Sequence, residues 1–203
     1  VAGEWRAEVT QLGKKSLTLS VVEHTRPHQP LPDIWLLFAP IKRSRLDYMV
    51  QKAAEMGAGK VMPIITRRTM VSRVNEDRLS ANLVEAAEQC GLVSVPTLEP
   101  TLKLDVVLDR WAEMAPGRRI IFCDESAEPG SALESLQALK EANEPLAVLI
   151  GPEGGFDPTE RERLLRRDDT IALSLGPRIM RADTAAVAAL SVVQLVLGDW
   201  RKS

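Results

Sequence analysis

The sequence is poor in cysteine, histidine and aromatic residues, and these shortages exclude several kinds of site. Its 203 residues include only 2 cysteines and 2 histidines. Cys90 and Cys123 lack metal-ligand spacing and fall inside predicted elements, which favours buried free thiols and a reducing, cytoplasmic setting. His24 and His28 have a spacing that a metal could use, but no third ligand lies nearby in sequence, which favours exposed histidines. We therefore expect no metal, and we see no Ser-His-Asp or Cys-His arrangement for hydrolytic chemistry.

Two further features are missing: a secretion leader and a long apolar segment. No charged stretch followed by an apolar run opens the chain, and no apolar run reaches the roughly 20 residues that span a bilayer. We expect neither secretion nor membrane insertion. A net charge of −2 and a pI near 5.8 argue against an overall cationic surface, but are compatible with a local basic patch. A hydrophobic content of 45% is enough to form the core of one domain of ordinary size with a small appendage.

The N-terminal residues predict a β-hairpin that is set apart from the rest of the chain. Residues 4–12 and 16–22 alternate well enough for two strands, joined by a turn at Gly13. A lone hairpin is marginal in water, and the chain begins at Val1 without an initiator methionine. We interpret the hairpin as the end of a small β domain whose earlier strands precede this sequence.

A proline-rich segment marks the boundary between the hairpin and the remainder. Residues 23–32 contain three prolines, a composition typical of an interdomain linker. The predicted division of the chain is a hairpin at residues 1–26, a linker at 27–32 and a larger domain at 33–203.

From Asp33 onward, predicted strands and helices alternate, which is typical of an α/β fold with a mostly parallel sheet covered by helices on both faces. The predicted strands are apolar runs at residues 34–39, 60–66, 119–123, 146–150 and 171–175. The predicted helices are at residues 42–56, 76–89, 104–111, 132–142 and 185–197, with one more beginning after Asp157.

A glycine-rich loop follows the strand at residues 146–150. Residues 151–156 read Gly-Pro-Glu-Gly-Gly-Phe, and glycines let the backbone approach a bound molecule closely. Asp157, Pro158 and Glu160 then form a helix-start signature. The loop lacks both the Walker lysine and the regular G-x-G-x-x-G order. A tight turn and a ligand loop at the carboxyl end of a strand are therefore both open interpretations.

A second unusual loop, at residues 176–184, leaves the strand at 171–175. If both loops open at the same sheet edge, they could hold one flat, neutral ligand through backbone groups. Arg181 and Asp183 are interpreted as an ion pair beside the last helix, which Asp183 or Thr184 would cap. Alternatively, Arg181 alone orients a substrate at the ligand. Glu153 is either a solvated turn residue or a polar contact to the ligand. The helix at 185–197 is apolar nearly all round, so it is expected to be buried in the core or against a partner.

Residues 149–156 and 173–185 resemble the two signature loops of the RsmE family, the small-subunit ribosomal RNA uracil-N3 methyltransferases of the SPOUT class. The second segment reads Leu-Ser-Leu-Gly-Pro-Arg-Ile-Met-Arg-Ala-Asp-Thr-Ala. Residues 51–57 and 85–90 resemble two further family segments, so the similarity extends from residue 34 to the C-terminus. Met180 and Asp183 stand where a leucine and a glutamate are expected, and Gly91-Leu92 replaces a polar or basic pair. The hairpin resembles the end of the family's PUA-like RNA-binding barrel.

This resemblance implies a SPOUT domain with a C-terminal trefoil knot, an arrangement that is almost absent from other proteins. It also implies S-adenosylmethionine as the cofactor and a homodimer formed through the knot and the C-terminal helix. The cofactor-binding residues that it implies are Leu149, Gly151, Glu153, Gly154, Gly155, Leu175, Gly176, Ile179, Met180 and Arg181.

The reaction implied by the resemblance is methylation of N3 of a uridine in 16S ribosomal RNA, presented as free RNA or as a 30S particle. Uracil N3 faces its pairing partner and carries a proton, so the base must be unpaired and the proton must leave. Arg181 is the implied stabiliser of the uracil anion, and Asp183 or Glu153 the implied proton acceptor. The predicted RNA-backbone contacts form two basic clusters, each of which could instead be a solvated face. The clusters are Lys42, Arg43 and Arg45, and Arg67, Arg68 and Arg73.

Three alternatives remain at this point. A SPOUT enzyme could methylate another nucleotide position on the same scaffold. A non-catalytic RNA-binding or assembly protein would keep the basic clusters, although both loops here have intact motifs. A nicotinamide-dependent oxidoreductase is disfavoured, because the early Rossmann spacing and its acidic ribose ligand are missing.

Overall fold

A computed structural model describes residues 2–71, 73–127, 132–142 and 144–202. The chain opens with an antiparallel hairpin of β1 (Gly3–Leu12) and β2 (Leu17–Pro27). β2 therefore continues through residues 23–27, beyond the predicted strand end at residue 22 and into the proline-containing segment. The extension is explained by pairing of Glu4 with Arg26, whose guanidinium Nε lies 3.1 Å from the Glu4 carboxylate. His24 is exposed as predicted, but it lies in β2 and stacks on the Trp5 ring at 4.4 Å.

The larger part of the chain forms one seven-stranded sheet, in which every strand pair is parallel. This confirms the predicted α/β class. The strand order is β5-β4-β3-β8-β7-β9, with β6 pairing to β4. The two-residue strands β5 and β6 were not predicted, because two residues carry no periodicity. The strands are β3 (Ile34–Phe38), β4 (Lys60–Ile65), β5 (Thr97–Leu98), β6 (Leu102–Lys103), β7 (Arg119–Cys123), β8 (Leu146–Ile150) and β9 (Thr170–Leu173).

Helices connect these strands, mostly within a residue or two of the predicted bounds. They are α1 (Arg43–Glu55), α2 (Glu76–Gln89), α3 (Leu104–Asp109), α4 (Trp111–Met114), α5 (Ala132–Ala142), α6 (Pro158–Leu165) and α7 (Ala182–Val196), followed by a 3₁₀ turn at Asp199–Lys202.

Two predictions about the helices were wrong. The helix expected at residues 104–111 is divided between α3 and α4 at Arg110. α7 begins at Ala182 rather than 185, and its N-cap is Arg181 in extended conformation, with no side-chain cap from Asp183 or Thr184. The helix starts earlier because Ala182 is buried among the core residues, so packing fixes the first turn.

Alternation along the strands divides the core between the two faces of the sheet. Leu36 and Phe38 belong to one apolar cluster, which packs against α1, α2, α5 and α7. Trp35 and Leu37 belong to the other, which packs against α3, α4 and α6. Both faces are therefore covered, as the apolar strands predicted.

Cys90 differs from the sequence-based expectation of two buried thiols, whereas the Cys123 thiol is buried as expected. Cys90 is exposed, because α2 ends there and the residue forms its C-cap. Cys123 ends β7, and burial of its thiol raises the pKa to about 12. Burial disfavours the thiolate, so Cys123 is inert at neutral pH.

Candidate functional site

A cavity of about 1030 Å³ opens at the carboxyl edge of the sheet, where β7, β8 and β9 end. Its walls come from the loops that leave these three strands, together with the outer face of α6 and Arg68 from the exit of β4. β7 lies between β8 and β9 in the sheet, so the two loops singled out in the sequence flank its exit. The carboxyl edge of a parallel sheet is where α/β proteins hold ligands.

The first loop forms a tight turn after β8. The Gly155 N–H donates to the Pro152 carbonyl at 2.9 Å, and Gly155 has a φ of 67°. A side chain at Gly155 would also collide with the Glu125 carboxylate, 2.8 Å from an added Cβ. At Gly151 an added Cβ would lie 2.6 Å from the Phe156 ring. The positive φ therefore favours glycine at position 155, and the Phe156 ring would have to move to admit a side chain at position 151.

Residues from the exit of β4 and from the first turn of α1 contact this turn and the helix after it from outside. The Arg68 guanidinium donates to the Gly154 carbonyl at 2.9 Å, and an Arg45 nitrogen lies 3.9 Å from the Glu153 carboxylate. The Arg67 backbone N–H donates to the Glu160 carboxylate at 2.9 Å. The exit of β4 is therefore bonded directly to the glycine turn and to the helix after it.

Glu160 is the charged group at the centre of this arrangement. It is 2% exposed, and its carboxylate also accepts a hydrogen bond from the Asp157 N–H at 3.1 Å. Asp157 caps α6 by accepting from the Thr159 N–H at 3.0 Å, which completes the capping box that the sequence predicted. Hydrogen bonds from Thr159, together with the nearby Arg67 and Arg68 charges, lower the pKa of the Asp157 carboxyl. The cap is therefore ionised at neutral pH.

The second loop, at residues 174–181, lines the cavity along its whole length. Gly176 has a φ of 101°, and no atom lies within 4 Å of an added Cβ. Ile179 is 90% exposed, although it is apolar. Arg181 is exposed at the N-cap of α7. The open space beside Gly176 and the exposed apolar side chain of Ile179 suit a flat heterocycle.

A third wall was missed by sequence reasoning. Asp124 follows β7 and is buried, and its carboxylate accepts from the Ser126 N–H at 3.0 Å and pairs with Arg161 of α6 at 2.8 Å. Glu125 stands next to it on the cavity wall. The signal that could have identified them is their position directly after a predicted strand. Arg161 had no such signal, because its partner lies on a different element.

The structure brings most of the predicted cofactor-binding residues together around the cavity. Those that line it are Gly151, Glu153, Gly155, Leu175, Gly176, Ile179, Met180 and Arg181. Of the other two, Leu149 is fully buried and Gly154 lies outside the lining. Asp183, a predicted catalytic residue, also lies outside the lining. Its carboxylate accepts from the Thr184 N–H at 3.0 Å in the first turn of α7.

The predicted RNA-binding residues separate into two groups. Arg45, Arg67 and Arg68 contact the glycine turn or the start of α6. Lys42, Arg43 and Arg73 are exposed, and their side chains form no hydrogen bond or ion pair within the described part of the chain.

No cluster of three or more histidine, cysteine, aspartate or glutamate side chains has the geometry of a metal site among residues 2–71, 73–127, 132–142 and 144–202. Within those ranges, no helix combines the length and apolarity needed to cross a membrane.

Comparisons with known proteins agree with one another. The family model for an RNA methyltransferase domain matches residues 27–194. A ribosomal RNA small subunit methyltransferase E of Rickettsia conorii is 30% identical over 96% of this chain and 77% of its own. The structure of a ribosomal RNA small subunit methyltransferase E from Neisseria gonorrhoeae, bound to S-adenosylmethionine, superposes with a TM-score of 0.79 at 25% identity, covering 96% of this chain and 79% of that one. The structure of a methyltransferase of Legionella pneumophila with bound S-adenosylmethionine superposes with a TM-score of 0.75 at 28% identity. The match covers 93% of this chain and 76% of that one.

Proposed function

The chain belongs to the family of RNA methyltransferase domains, and on that premise we propose that it transfers a methyl group from S-adenosylmethionine to N3 of a uridine in 16S ribosomal RNA. The observation that carries this proposal is that the two motif-bearing loops line a single cavity. Relatives named for small-subunit ribosomal RNA methylation support the substrate class. Structures of relatives with bound S-adenosylmethionine support the cofactor.

The cavity suits this cofactor in size and in chemistry. Pockets for ligands of this size usually measure about 300–1,000 Å³, so a cavity of about 1030 Å³ has room for the cofactor and part of a nucleotide. The absence of side chains at Gly155 and Gly176 opens the backbone to the ligand. We assign the binding role to main-chain groups of residues 151–155 and 175–181, with Ile179 and Met180 against the adenine.

When bound, S-adenosylmethionine supplies an electrophilic methyl group on a sulfonium. The chain's own task is to orient an unpaired uracil and to manage the proton and charge at its N3. Arg181 is exposed on the cavity wall at the start of α7, where a guanidinium can stabilise the negative charge that develops on the uracil.

Glu153 and Asp183 are the two candidates for accepting the N3 proton. Glu153 lines the cavity and lies near Arg45, whereas Asp183 lies outside the lining, where it accepts from the Thr184 N–H. A proton acceptor must come within hydrogen-bond reach of the proton. This geometry favours Glu153 for the role.

We assign RNA-backbone contacts first to the exposed cations without bonded partners in the described chain, Lys42, Arg43 and Arg73. Arg45, Arg67 and Arg68 already bond to the cofactor loop and its helix, so their contribution to RNA binding would be shared with that role. Phosphate contacts of this kind position the RNA and weaken as salt rises.

The proposal extends to the organisation of the whole protein. We propose that residues 1–26 end a PUA-like RNA-binding domain, 27–32 form a linker, and 33–203 form a SPOUT domain with a C-terminal trefoil knot. We propose a homodimer through the knot and α7, because this helix is apolar over most of its length and leaves Val187, Val192 and Leu195 only partly covered or exposed. Action on ribosomal RNA supports a cytoplasmic location.

The test has two stages. Isothermal titration of the 203-residue chain with S-adenosylmethionine, with NAD in a parallel cell, should show saturable binding of the methyl donor alone. The chain should then be incubated with 30S particles or with free 16S RNA, and digested RNA analysed for 3-methyluridine by mass spectrometry. Binding without methyl transfer would indicate a non-catalytic RNA-binding protein, and a different methylated nucleoside would overturn the uridine assignment.

A further inference from the structure

The peptide group that joins Gly154 to Gly155 is held at both of its polar ends. Its N–H donates to the Pro152 carbonyl at 2.9 Å, and its carbonyl accepts from the Arg68 guanidinium at 2.9 Å. The stem of Arg68 also packs on Gly154, with its Cβ 3.8 Å from the position that a Gly154 side chain would occupy. Arg68 thus contacts the turn through both its charge and its aliphatic part.

A peptide between two glycines is the one most able to rotate, because neither neighbour restricts its dihedral angles through a Cβ. Rotation here would exchange the positions of the N–H and the carbonyl and break the bond to Pro152. Gly155 is buried and lines the cavity, so such a rotation would change the backbone that faces a ligand. The charge-assisted bond from Arg68 opposes it.

Arg68 is itself carried on an ordered segment. The Thr66 N–H donates to the Thr69 hydroxyl at 2.9 Å, and the Thr69 N–H donates to the Thr66 carbonyl at 3.2 Å. Between them, the Arg67 N–H is fixed to the buried Glu160 carboxylate at 2.9 Å. The exit of β4 is therefore a closed turn anchored to α6, which is the rigid support that a positioning side chain needs.

We propose that Arg68 is a positioning residue of the cofactor site, which locks the Gly154–Gly155 peptide in the orientation that binds S-adenosylmethionine. This role, which rests on the proposed function, differs from the RNA-backbone contact that its basic neighbours suggested. The glycine turn is then held in its binding conformation before the cofactor arrives, and the apparent affinity is not reduced by a population of rotated turns.

The chain offers a matched control. Arg73 lies five positions away on the same connection, carries the same charge, and has no hydrogen bond or ion pair in the described part of the molecule. Arg68→Ala and Arg73→Ala therefore remove equal charge, but only the first releases the Gly154 carbonyl. Arg68→Lys keeps a cationic donor for that single carbonyl.

Titration calorimetry with S-adenosylmethionine on the wild type and these three variants tests the proposal, with the melting temperature of each measured without cofactor. Loss of one charge-assisted hydrogen bond should raise the dissociation constant of Arg68→Ala about tenfold. Arg73→Ala, whose proposed role is in RNA contact and which lies outside the cavity lining, should keep the wild-type affinity for S-adenosylmethionine. Arg68→Lys should recover most of that affinity. The melting temperature of Arg68→Ala should stay near that of the wild type, since the contact is exposed.

Other outcomes separate this inference from the function it rests on. Wild-type affinity in Arg68→Ala would overturn the positioning role and leave the methyltransferase proposal intact. Equal losses of cofactor affinity in Arg68→Ala and Arg73→Ala would assign the effect to charge alone. That result would also overturn the positioning role. If Arg68→Ala melts at a lower temperature than the wild type, the lysine variant becomes the deciding test. A cofactor affinity of Arg68→Lys as poor as that of Arg68→Ala would then contradict the hydrogen-bond role. Failure of the wild type itself to bind would overturn the proposed function.

Discussion

The side-chain amide of Gln194 in α7 donates a hydrogen bond to the Met56 carbonyl at the end of α1, 2.7 Å away. Its oxygen accepts from the Asp199 N–H at 3.1 Å. Gln194 is fully buried, and the amide fits because Gly57 and Gly198 have no side chains where it lies. One buried amide therefore joins the first helix of the domain to the last.

We expect Gln194→Ala to lower the free energy of unfolding by about 1–3 kcal/mol, because it leaves a buried carbonyl and N–H without partners. Urea denaturation followed by circular dichroism measures this change. Gln89→Ala, at an exposed position at the end of α2, is the matched control and should have little effect. Equal stability of the two variants would mean that the Gln194 amide does not hold α7 in place.

Glu160→Ala should destabilise the protein by about 2 kcal/mol, since two backbone N–H groups lose their acceptor in a site where the carboxylate is 2% exposed. The control is Glu162→Ala on the same helix, whose carboxylate is exposed and pairs with Arg166. Chemical denaturation of both variants provides the comparison. A Glu160 variant as stable as the control would show that the two loops stay docked without this carboxylate.

Gly155→Ala should weaken S-adenosylmethionine binding far more than Gly154→Ala. The first places a Cβ 2.8 Å from the Glu125 carboxylate at a φ of 67°, whereas the second meets only ordinary contacts with Arg68 at 3.8 Å and 3.9 Å. The strain amounts to about 1–2 kcal/mol, or roughly tenfold or more in affinity if it distorts the turn. Calorimetric titration measures it, and similar affinities for the two variants would remove the turn from the site.

Arg181→Ala should reduce the turnover number about 100-fold, as expected for loss of a group that stabilises developing charge. The dissociation constant for S-adenosylmethionine should change little, because its proposed contacts are main-chain groups. Arg178→Ala removes the same charge from the same cavity wall and is the control. Single-turnover methylation and cofactor titration separate the two quantities, and equal losses in both would make Arg181 a structural residue.

Asp47 provides a pH-dependent prediction. The hydrogen bond from Arg78 lowers the pKa of the Asp47 carboxyl below its usual 3.8, and Asn82 adds a second donor at 2.9 Å. A lowered pKa in the folded state means that the stabilisation is complete above the unfolded value and is lost as pH falls through the folded one. The carboxylate joins α1 to α2, so the free energy of unfolding should fall below about pH 4.

Urea titrations at several pH values below neutrality test this expectation. Asp47→Asn should be less stable at neutral pH and should show a smaller acid-dependent loss than the wild type. Asp77→Asn removes an exposed carboxylate from the first turn of α2 and should leave the pH profile almost unchanged. Parallel profiles for the wild type and Asp47→Asn would contradict the assignment.

Local patterns in the sequence were sufficient for most of the individual elements. Apolar runs predicted β7 and β8 with the observed bounds, because strands buried on both faces need such runs. The series Asp157, Pro158 and Glu160 predicted the start of α6, since capping depends on residues three positions apart. The motif-bearing loops were located for the same reason: glycine in a turn is a local requirement.

Tertiary structure alone decided how these parts meet. β8 lies between β3 and β7, and this order places the loops after β8 and β9 on either side of the β7 exit. Nothing in local periodicity encodes strand order. Likewise, Arg67 and Arg68 read as a basic cluster in sequence, yet their bonds go to Glu160 and Gly154. The sequence by itself determined most of the strands, helices and turns, because these depend on neighbouring residues. The cavity and the roles of the side chains around it depend on contacts between distant residues. Only the packing of the whole chain decides those contacts.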